Sequence, residues 1–321
     1  MQEAVTLNNI SKEYRIPSIF PWKKSKIIEA LKQVTFACPE SKITCLLGPN
    51  GAGKTTIIKI LSGLIIPDSG EVKFFNKSFS GKSGKPDLRI GFVTQNERSF
   101  YWRLTGRQNL DFYGSLYNLK GKNKKLKIDE VLSEVNMHEE SDKPFRLYST
   151  GMRQKINIAR ALLCDPDLLL LDEPTTHLDP LAQESIHKLI KNVILNKRKT
   201  TILICTHNLY EAQILSDKII LLDKGCILAK GPISSLRSMI DSSQKIIIDF
   251  KKLPEKGWEK NLSVKIHKQT DSVIEITFKN DTSIPEIIKA AIEKKGEIIE
   301  CRRIEESLFE IFSRLTKGSE S

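Results

Sequence analysis

The sequence predicts an α/β protein built on a largely parallel β-sheet. Three short, continuous apolar runs, at 43–47, 168–171 and 201–205, are bounded by turn-forming or polar residues. Such runs are typical of strands that are buried on both faces. Segments with helical spacing, such as 147–163, lie between them. Polar residues follow the second and third runs directly, and a glycine-rich stretch follows the first. In open α/β sheets that carboxyl edge is where ligands bind.

Composition is that of an ordinary globular protein. The 321 residues are 40% hydrophobic and 28% charged, enough for a large core and a smaller second domain. No apolar run approaches the ~18 residues that a membrane-spanning helix needs, and the first ten residues do not resemble a signal peptide. The six cysteines have no Cys-x-x-Cys spacing. We therefore expect reduced cysteines and a cytoplasmic protein.

The formal net charge of +12 has two interpretations. Basic clusters at 23–26, 120–127 and 197–199 could bind anionic lipid headgroups or nucleic acid. The alternative is a solvated lysine-rich surface. We favour the second, because aromatic residues are not interleaved with the lysines as a single-strand binding surface requires.

The first segments predict short strands at Val5–Ile10 and Ile28–Phe36, separated by a loop with two prolines. Tyr14 ends the first strand, where its ring could stack on a nucleotide base. The alternative is that Tyr14 only packs against the fold. Phe20 or Trp22 could take the stacking role instead.

The stretch LLGPNGAGKTT, residues 46–56, predicts a phosphate-binding loop. It matches the pattern G-x-x-x-x-G-K-[ST] through Gly48, Gly53, Lys54 and Thr55. Glycines let backbone N–H groups close around phosphate oxygens, and the following helix presents its positive N-terminus. Lys54 would contact the β- and γ-phosphates, and the Thr55 hydroxyl would bind Mg²⁺.

Two further strands deliver polar residues to the same edge of the sheet. Strand 90–94 leads to Gln95, and a polar helical insertion then covers residues 96–150. After the run 168–171 come Asp172 and Glu173, a pair of carboxylates that would be costly in a plain core.

The segment 147–163 predicts a helix with Ser149 as its N-cap and Gly151 permitting close approach, so that its N-terminus is a second candidate anion site. His207 follows the run 201–205. Taken alone, a histidine in this position is more often a core residue with its hydrogen bonds satisfied.

Taken together, LLGPNGAGKTT, Gln95, YSTGMRQ, LLLLDEP, THLD and THN resemble the nucleotide-binding subunit of ATP-binding cassette (ABC) transporters over about residues 3–240. Within that family the chain is most similar to ATPase subunits of bacterial and archaeal exporters with separate membrane subunits. The resemblance implies a P-loop NTPase (RecA-like) core with an antiparallel β subdomain and a helical subdomain at about 96–150.

The resemblance also implies roles for particular residues. Glu173 would be the general base, His207 would contact the γ-phosphate, and Asp172, Thr55 and Gln95 would hold Mg²⁺. Two cassettes would pair head to tail, with ATP between the loop of one chain and Ser149 and Gly151 of the other. The nucleotide-binding residues would be Tyr14, Gly48, Pro49, Asn50, Gly51, Ala52, Gly53, Lys54, Thr55, Thr56, Ser149, Gly151 and Asp179.

The sequence departs from the family pattern at several positions, and the usual glycine before the strand that leads to the phosphate-binding loop is absent from PESKIT, residues 39–44. Tyr148, Thr150 and Met152 replace the usual residues around Ser149, and His177 occupies a position usually held by a small or amide residue. Contact across the dimer would therefore depend on Ser149 and Gly151.

The last segment, 241–321, predicts a small α+β domain. Alternating strands at Lys245–Phe250, Ser263–His267 and Ser272–Phe278 precede a helix opened by Pro285, and a strand and an amphipathic helix follow. We expect it to cap or stabilise the dimer, because no ligand-binding constellation occurs in it.

The leading hypothesis is a Mg²⁺-dependent ATPase subunit on the cytoplasmic face of the membrane. Its partners would be transmembrane permease subunits and a second ATP-binding subunit, either an identical copy or a sister ATPase, with no specific nucleic acid. The alternative is a soluble ABC-type ATPase that acts on nucleic acid or ribosomes.

Overall fold

The computed structural model describes residues 2–16, 26–75, 77–79, 88–94, 99–238, 244–260, 262–278, 283–304 and 308–318. The chain divides into two compact units, Met1–Ile233 and Ser234–Ser321. The domain boundary predicted between residues 240 and 241 lies outside the described residues.

Strands and helices alternate through the first unit. Its strands are β1 (Glu3–Ile16), β2 (Lys26–Pro39), β3 (Ile43–Leu47), β4 (Ser69–Phe74), β5 (Lys77–Phe79), β6 (Ile90–Val93), β7 (Leu168–Asp172), β8 (Thr201–Thr206), β9 (Lys218–Asp223) and β10 (Cys226–Gly231). Its helices are α1 (Lys54–Leu61), α2 (Gly106–Leu116), α3 (Gly121–Glu134), α4 (Thr150–Leu162), α5 (Pro180–Lys188), which continues as a π-helix at Leu189–Lys197, and α6 (Leu209–Leu215). Helix α7 (Ile233–Ser238) begins at the junction of the two units.

The central sheet has the strand order β10-β9-β3-β8-β7-β6 in the described part of the chain. Strands β9, β3, β8, β7 and β6 pair in parallel, and β10 adds to the edge in the antiparallel sense. Every residue of β3 and β8 is buried, as expected for parallel strands covered on both faces. The predicted α/β core is confirmed. Its parallel register brings the ends of β3, β7 and β8 to one edge.

A second sheet, with the order β2-β1-β4-β5, supplies the antiparallel layer. Strands β1 and β2 are both longer than the predicted Val5–Ile10 and Ile28–Phe36. Their pairing continues through register shifts between Leu7 and Lys12, and Asn9 and Gln33 have positive φ angles. These bulges interrupt the apolar alternation without ending the strand, so the periodicity underestimates both lengths.

The helical region between β6 and β7 contains α2, α3 and the start of α4. Helix α2 begins with a capping box, in which Thr105 and Gln108 each bond the other's backbone N–H. The side chain of Asn109 is buried and binds the carbonyls of Tyr101 and Thr105. These contacts tie the segment before α2 to the helix.

The second unit contains strands β11 (Gln244–Lys252), β12 (Val264–Gln269), β13 (Val273–Phe278) and β14 (Glu297–Ile304), and helices α8 (Ile284–Glu293) and α9 (Leu308–Gly318). The sheet is antiparallel, with the order β12-β13-β11-β14. Ile246, Ile248, Ile274 and Ile276 form its core with Ile287 of α8. The predicted small α+β fold is confirmed.

Within the described residues, no helix combines the length and the apolar character that crossing a bilayer requires.

Candidate active site

The loop between β3 and α1 has the backbone shape that its sequence predicts. Gly53, the N-cap of α1, has a φ of 108°, and a Cβ there would lie 2.6 Å from the Ala30 carbonyl oxygen. A Cβ on Gly48 would lie 2.1 Å from the Leu222 carbonyl oxygen. Only glycine fits at these two positions, because a side chain would collide with backbone atoms of β2 and β9.

Lys54 folds back over this loop. Its ammonium group donates to the carbonyls of Gly48 at 2.6 Å and Pro49 at 3.1 Å. It also lies 3.6 Å from Glu173 Oε1, and the side chain is only 6% exposed. A buried cation therefore sits at the mouth of the helix N-terminus, where an anion is favoured.

Asp172, the last residue of β7, faces the first turn of α1. The Thr55 hydroxyl donates to Asp172 Oδ2 at 3.4 Å, while Oδ1 is buried and accepts no hydrogen bond from the described residues. Burial, followed by the neighbouring charge of Glu173, raises the pKa of Asp172. The site thus holds a carboxylate whose charge is incompletely neutralised by the protein.

Glu173 has an unusual backbone and a side chain held from two sides. Its φ is 51°, and its N–H donates to the Cys205 carbonyl of β8 at 2.8 Å. Its Oε2 lies 2.8 Å from His207 Nδ1 and accepts from the Thr176 hydroxyl at 3.0 Å. Glu173 and His207, which the sequence predicted separately, are thus brought into direct contact by the parallel pairing of β7 and β8.

A cavity of about 780 Å³ opens in front of these groups. Asn50, Lys54, Thr55, Asp172 and Glu173 line one part of it. The other part is lined by residues of β1, β2 and the β9–β10 turn, namely Glu13, Ile27, Ile28, Glu29, Ala30, Lys32 and Lys224. The volume suits a ligand of nucleotide size.

Tyr14 is paired with Ile28, which lines the cavity, but Tyr14 itself is not among the described lining residues. Its neighbour Glu13 is. The base-stacking role of Tyr14 stays a prediction, and Phe20 and Trp22 lie outside the described residues.

Ser149, Gly151 and Asp179 lie at helix N-termini rather than along the cavity. Ser149 caps α4 by accepting from the Met152 N–H, and Asp179 caps α5 by accepting from the Ala182 N–H. A Cβ on Gly151 would lie 3.0 Å from the Ala182 side chain. Ser149 and Asp179 are exposed, so they are accessible to another molecule.

Gln95, the predicted Mg²⁺ ligand, lies outside the described residues. The residue before it, Thr94, is described, and its carbonyl accepts from the Asn157 side chain of α4 at 2.8 Å.

The sequence did not predict the residues that position Glu173 through hydrogen bonds on the side away from the cavity. Thr176 bonds the Glu173 carboxylate, and Thr175 donates to Glu211 of α6 at 2.7 Å. Glu211 is 1% exposed, although it lies in the short helix α6, four residues past His207. The one sequence feature that could have indicated burial of Glu211 is the apolar Ala212 next to it.

The arrangement is suited to phosphoryl transfer to water. A backbone cradle and a buried ammonium group can bind phosphates, and a carboxylate paired with a histidine can orient and deprotonate a water molecule. Among the described residues no three His, Cys, Asp or Glu side chains form a metal cluster. Mg²⁺ does not need one, because it keeps several waters and uses one or two protein ligands plus phosphate oxygens.

Comparison with protein families finds a match for the part of the chain that contains the phosphate-binding loop. The family model described as ABC transporter matches residues 31–176, which include the phosphate-binding loop and Asp172 and Glu173.

Curated relatives match over most of the first unit. The ABC transporter ATP-binding protein NatA of Bacillus subtilis is 31% identical over 232 residues, which are 72% of this chain and 91% of NatA. The Nod factor export ATP-binding protein I of Ralstonia nicotianae is 33% identical over 198 residues, 62% of this chain and 61% of that protein.

Among solved structures, the ATP-binding cassette MJ0796, a dimer in a post-hydrolysis state bound to ADP and Pi, matches with a TM-score of 0.61 and 27% identity. The match covers 71% of this chain and 98% of that cassette.

Proposed function

The chain belongs to the ATP-binding proteins of ABC transporters, and on that premise we propose that it hydrolyses ATP to drive export through separate membrane-spanning subunits. The observation that supports hydrolysis is the contact of Glu173 with both His207 and Lys54 at the mouth of the phosphate-binding loop. ATP hydrolysis itself is the activity of this family. The direction of transport and the separate membrane subunits are what the proposal adds.

In this proposal different residues bind the phosphates of ATP, neutralise their charge and activate the attacking water. The loop from Gly48 to Thr56 binds the phosphates through backbone N–H groups, and Lys54 neutralises the β- and γ-phosphates. Glu173 takes a proton from the attacking water, and His207 contacts the γ-phosphate while holding the Glu173 carboxylate in place.

The residues around Asp172 fit Mg²⁺. Asp172 Oδ1 is buried without a hydrogen-bond donor, and the Thr55 hydroxyl lies beside Oδ2, so two hard oxygen ligands face the same space. Asp172, Thr55 and Gln95 would hold the ion, which supplies positive charge to the phosphate oxygens.

The site would be completed by a second ATP-binding subunit. Ser149 and Asp179 are exposed at helix N-termini and do not line the cavity of their own chain. Ser149 and Gly151 would therefore meet the γ-phosphate held by the partner, either an identical copy or a sister ATPase. The dimeric state of the similar cassette MJ0796 supports this arrangement.

Exposed apolar residues offer a surface for the membrane subunits. The aromatic Tyr101, Trp102 and Phe112 and the aliphatic Leu116 are each between 38% and 62% exposed, and the rings of Tyr101 and Phe112 lie 5.0 Å apart. Such a cluster is typical of a protein interface. Through it the chain would be held at the cytoplasmic face of the membrane. The similarity to the Nod factor export ATP-binding protein I of Ralstonia nicotianae supports the outward direction.

Purification of the tagged chain from native membranes tests this proposal. We expect a polytopic membrane protein to co-purify and Trp102→Ala with Leu116→Ala to release it, while ATP hydrolysis by the free subunit persists. Inverted vesicles that contain the complex should accumulate substrate when ATP is added. Recovery of RNA without any membrane protein would contradict the proposal.

A further inference from the structure

We propose that Glu211 is a positioning residue for ATP hydrolysis, which fixes Glu173 and His207 relative to each other through the hydroxyl of Thr175. Glu211 touches none of the reacting groups. It acts from behind the site, and this inference rests on the proposed hydrolysis of ATP.

The contacts of Glu211 are buried and specific. Its Oε1 accepts from the Thr175 hydroxyl at 2.7 Å and lies 3.3 Å from Nε2 of His187 in α5. Thr175 is 3% exposed and Glu211 is 1% exposed. The carboxylate therefore joins α5, α6 and the segment that follows β7.

These bonds close a ring that contains the two groups proposed for catalysis. Thr175 is anchored to Glu211, and the adjacent Thr176 bonds the Glu173 carboxylate. On the other side, Asn208 caps α6 by accepting from the Glu211 N–H.

His207 precedes Asn208, and its Nδ1 lies 2.8 Å from Glu173 Oε2, which closes the ring. A shift of Thr175 would therefore move Glu173 relative to His207.

The backbone of this segment needs such an anchor. Glu173 has a φ of 51° and His177 a φ of 64°, so residues without a glycine's freedom occupy the left-handed region at both ends of the segment. Strained conformations persist only where surrounding contacts enforce them, and they cluster at functional sites. The Thr175–Glu211 bond lies between these two positions.

Plain fold stabilisation is a weak explanation for Glu211. Its second oxygen, Oε2, is buried and accepts no hydrogen bond from the described residues. Burying a carboxylate that is only half satisfied costs free energy, so an apolar side chain of similar size would serve the fold as well or better. A buried carboxylate with this cost is better explained by a role in positioning neighbouring groups.

Thr175→Val tests the inference, because it removes the hydroxyl and keeps the shape of the side chain. Thr201→Val is the matched control. Thr201 is 1% exposed and its hydroxyl makes one hydrogen bond, which it accepts from the Ser41 N–H at 3.0 Å, whereas the Thr175 hydroxyl donates its bond. Thr201 lies at the opposite end of β8 from His207. Both substitutions remove one buried hydroxyl. Thr175→Val should cause the larger loss of thermal stability, because it takes a donor from a buried carboxylate, so kcat is compared at a temperature where both variants are folded.

The expected difference lies in kcat. Thr175→Val should lower kcat for ATP hydrolysis about 10- to 100-fold with little change in KM, since misplacement of a catalytic group acts on the transition state. Thr175→Ser should restore most of kcat, and Thr201→Val should leave it within about twofold.

The outcomes separate the two claims. A wild-type chain that hydrolyses ATP, together with a folded Thr175→Val variant of normal kcat, would overturn the positioning role alone. An equal loss of kcat in Thr201→Val would do the same. Absence of hydrolysis in the wild-type chain would overturn the proposed function instead. If Thr175→Val does not fold, Thr175→Ala is measured against the same predictions.

Discussion

Two clusters of charged side chains in the first unit, each with a buried centre, differ in how completely their charges are paired. The first, which we name the Arg198 cluster, lies between α3, the residues after α4 and the end of the π-helix. It consists of Lys127, Glu130, Glu134, Asp165, Lys197 and Arg198. The second is the active-site cluster of Lys54, Asp172, Glu173 and His207.

The Arg198 cluster is balanced, with three basic and three acidic side chains. Arg198 and Glu134 are 11% and 5% exposed, and they meet at 2.6 Å. Arg198 also contacts Asp165 at 2.7 Å, and Lys197 contacts Glu134 at 2.9 Å. Every carboxylate therefore has at least one close cation, as buried charges require.

The active-site cluster is not balanced. Lys54 faces two carboxylates, and one oxygen of each, Asp172 Oδ1 and Glu173 Oε1, accepts no hydrogen bond from the described residues. Glu173 also has a left-handed backbone. The first cluster therefore stabilises the fold, whereas the second leaves charge available for a ligand and its metal ion.

Replacing a lysine by methionine should weaken ATP binding in the active-site cluster but not in the Arg198 cluster. Lys54→Met should weaken ATP binding about 100-fold, because a buried cation that pairs with phosphate is lost. Lys197→Met should leave ATP binding unchanged, because Lys197 is 65% exposed and Arg198 still pairs with Glu134. Equilibrium binding of a fluorescent ATP analogue measures both, and equal affinities would contradict the contrast.

Arg198→Met should lower the stability of the protein without weakening ATP binding. The substitution leaves Glu130, Glu134 and Asp165 with fewer cations, and removing one partner of a buried ion pair costs about 2–4 kcal/mol of unfolding free energy. ATP affinity should stay within about twofold of the wild-type value. Urea unfolding followed by circular dichroism gives the stability change. A stable variant with impaired ATP binding would show that the cluster serves the site.

Asp172→Asn should stabilise the free protein in a pH-dependent manner. Burial raises the pKa of Asp172, so ionisation of this group costs stability as pH rises from the unfolded value of about 4 through the higher folded value. The melting temperature of Asp172→Asn should therefore exceed that of the wild type at pH 7. Below both pKa values the difference should disappear. A variant that is less stable at pH 7 would show that Asp172 is fully paired in the free protein.

The sheet was predictable because burial on both faces leaves a direct imprint on the sequence. The strands β3, β7 and β8 are mostly apolar, and the polar residues at the ends of β7 and β8 predicted Asp172, Glu173 and His207 as site residues. The lengths of β1 and β2 were not predictable, because bulges break the alternation while backbone pairing continues.

The contact between Glu173 and His207 follows from strand order, which periodicity does not reveal. Strands β7 and β8 are neighbours, and Asp172 pairs with Cys205, so the residues that follow them meet. Glu211 escaped prediction for a related reason. Its burial is created by α5 and the segment after β7, which are distant in sequence, and a glutamate in a short helix otherwise indicates a solvated position.

The most direct test of the account is phosphate release by the purified chain with Mg²⁺ and ATP, measured for the wild type and for Glu173→Gln. Loss of the general base should lower the rate about 10²- to 10⁴-fold while ATP still binds, so the variant should hold ATP and elute as a dimer. A Glu173→Gln variant that releases phosphate at the wild-type rate would contradict the assignment of Glu173 and, with it, the catalytic reading of the site.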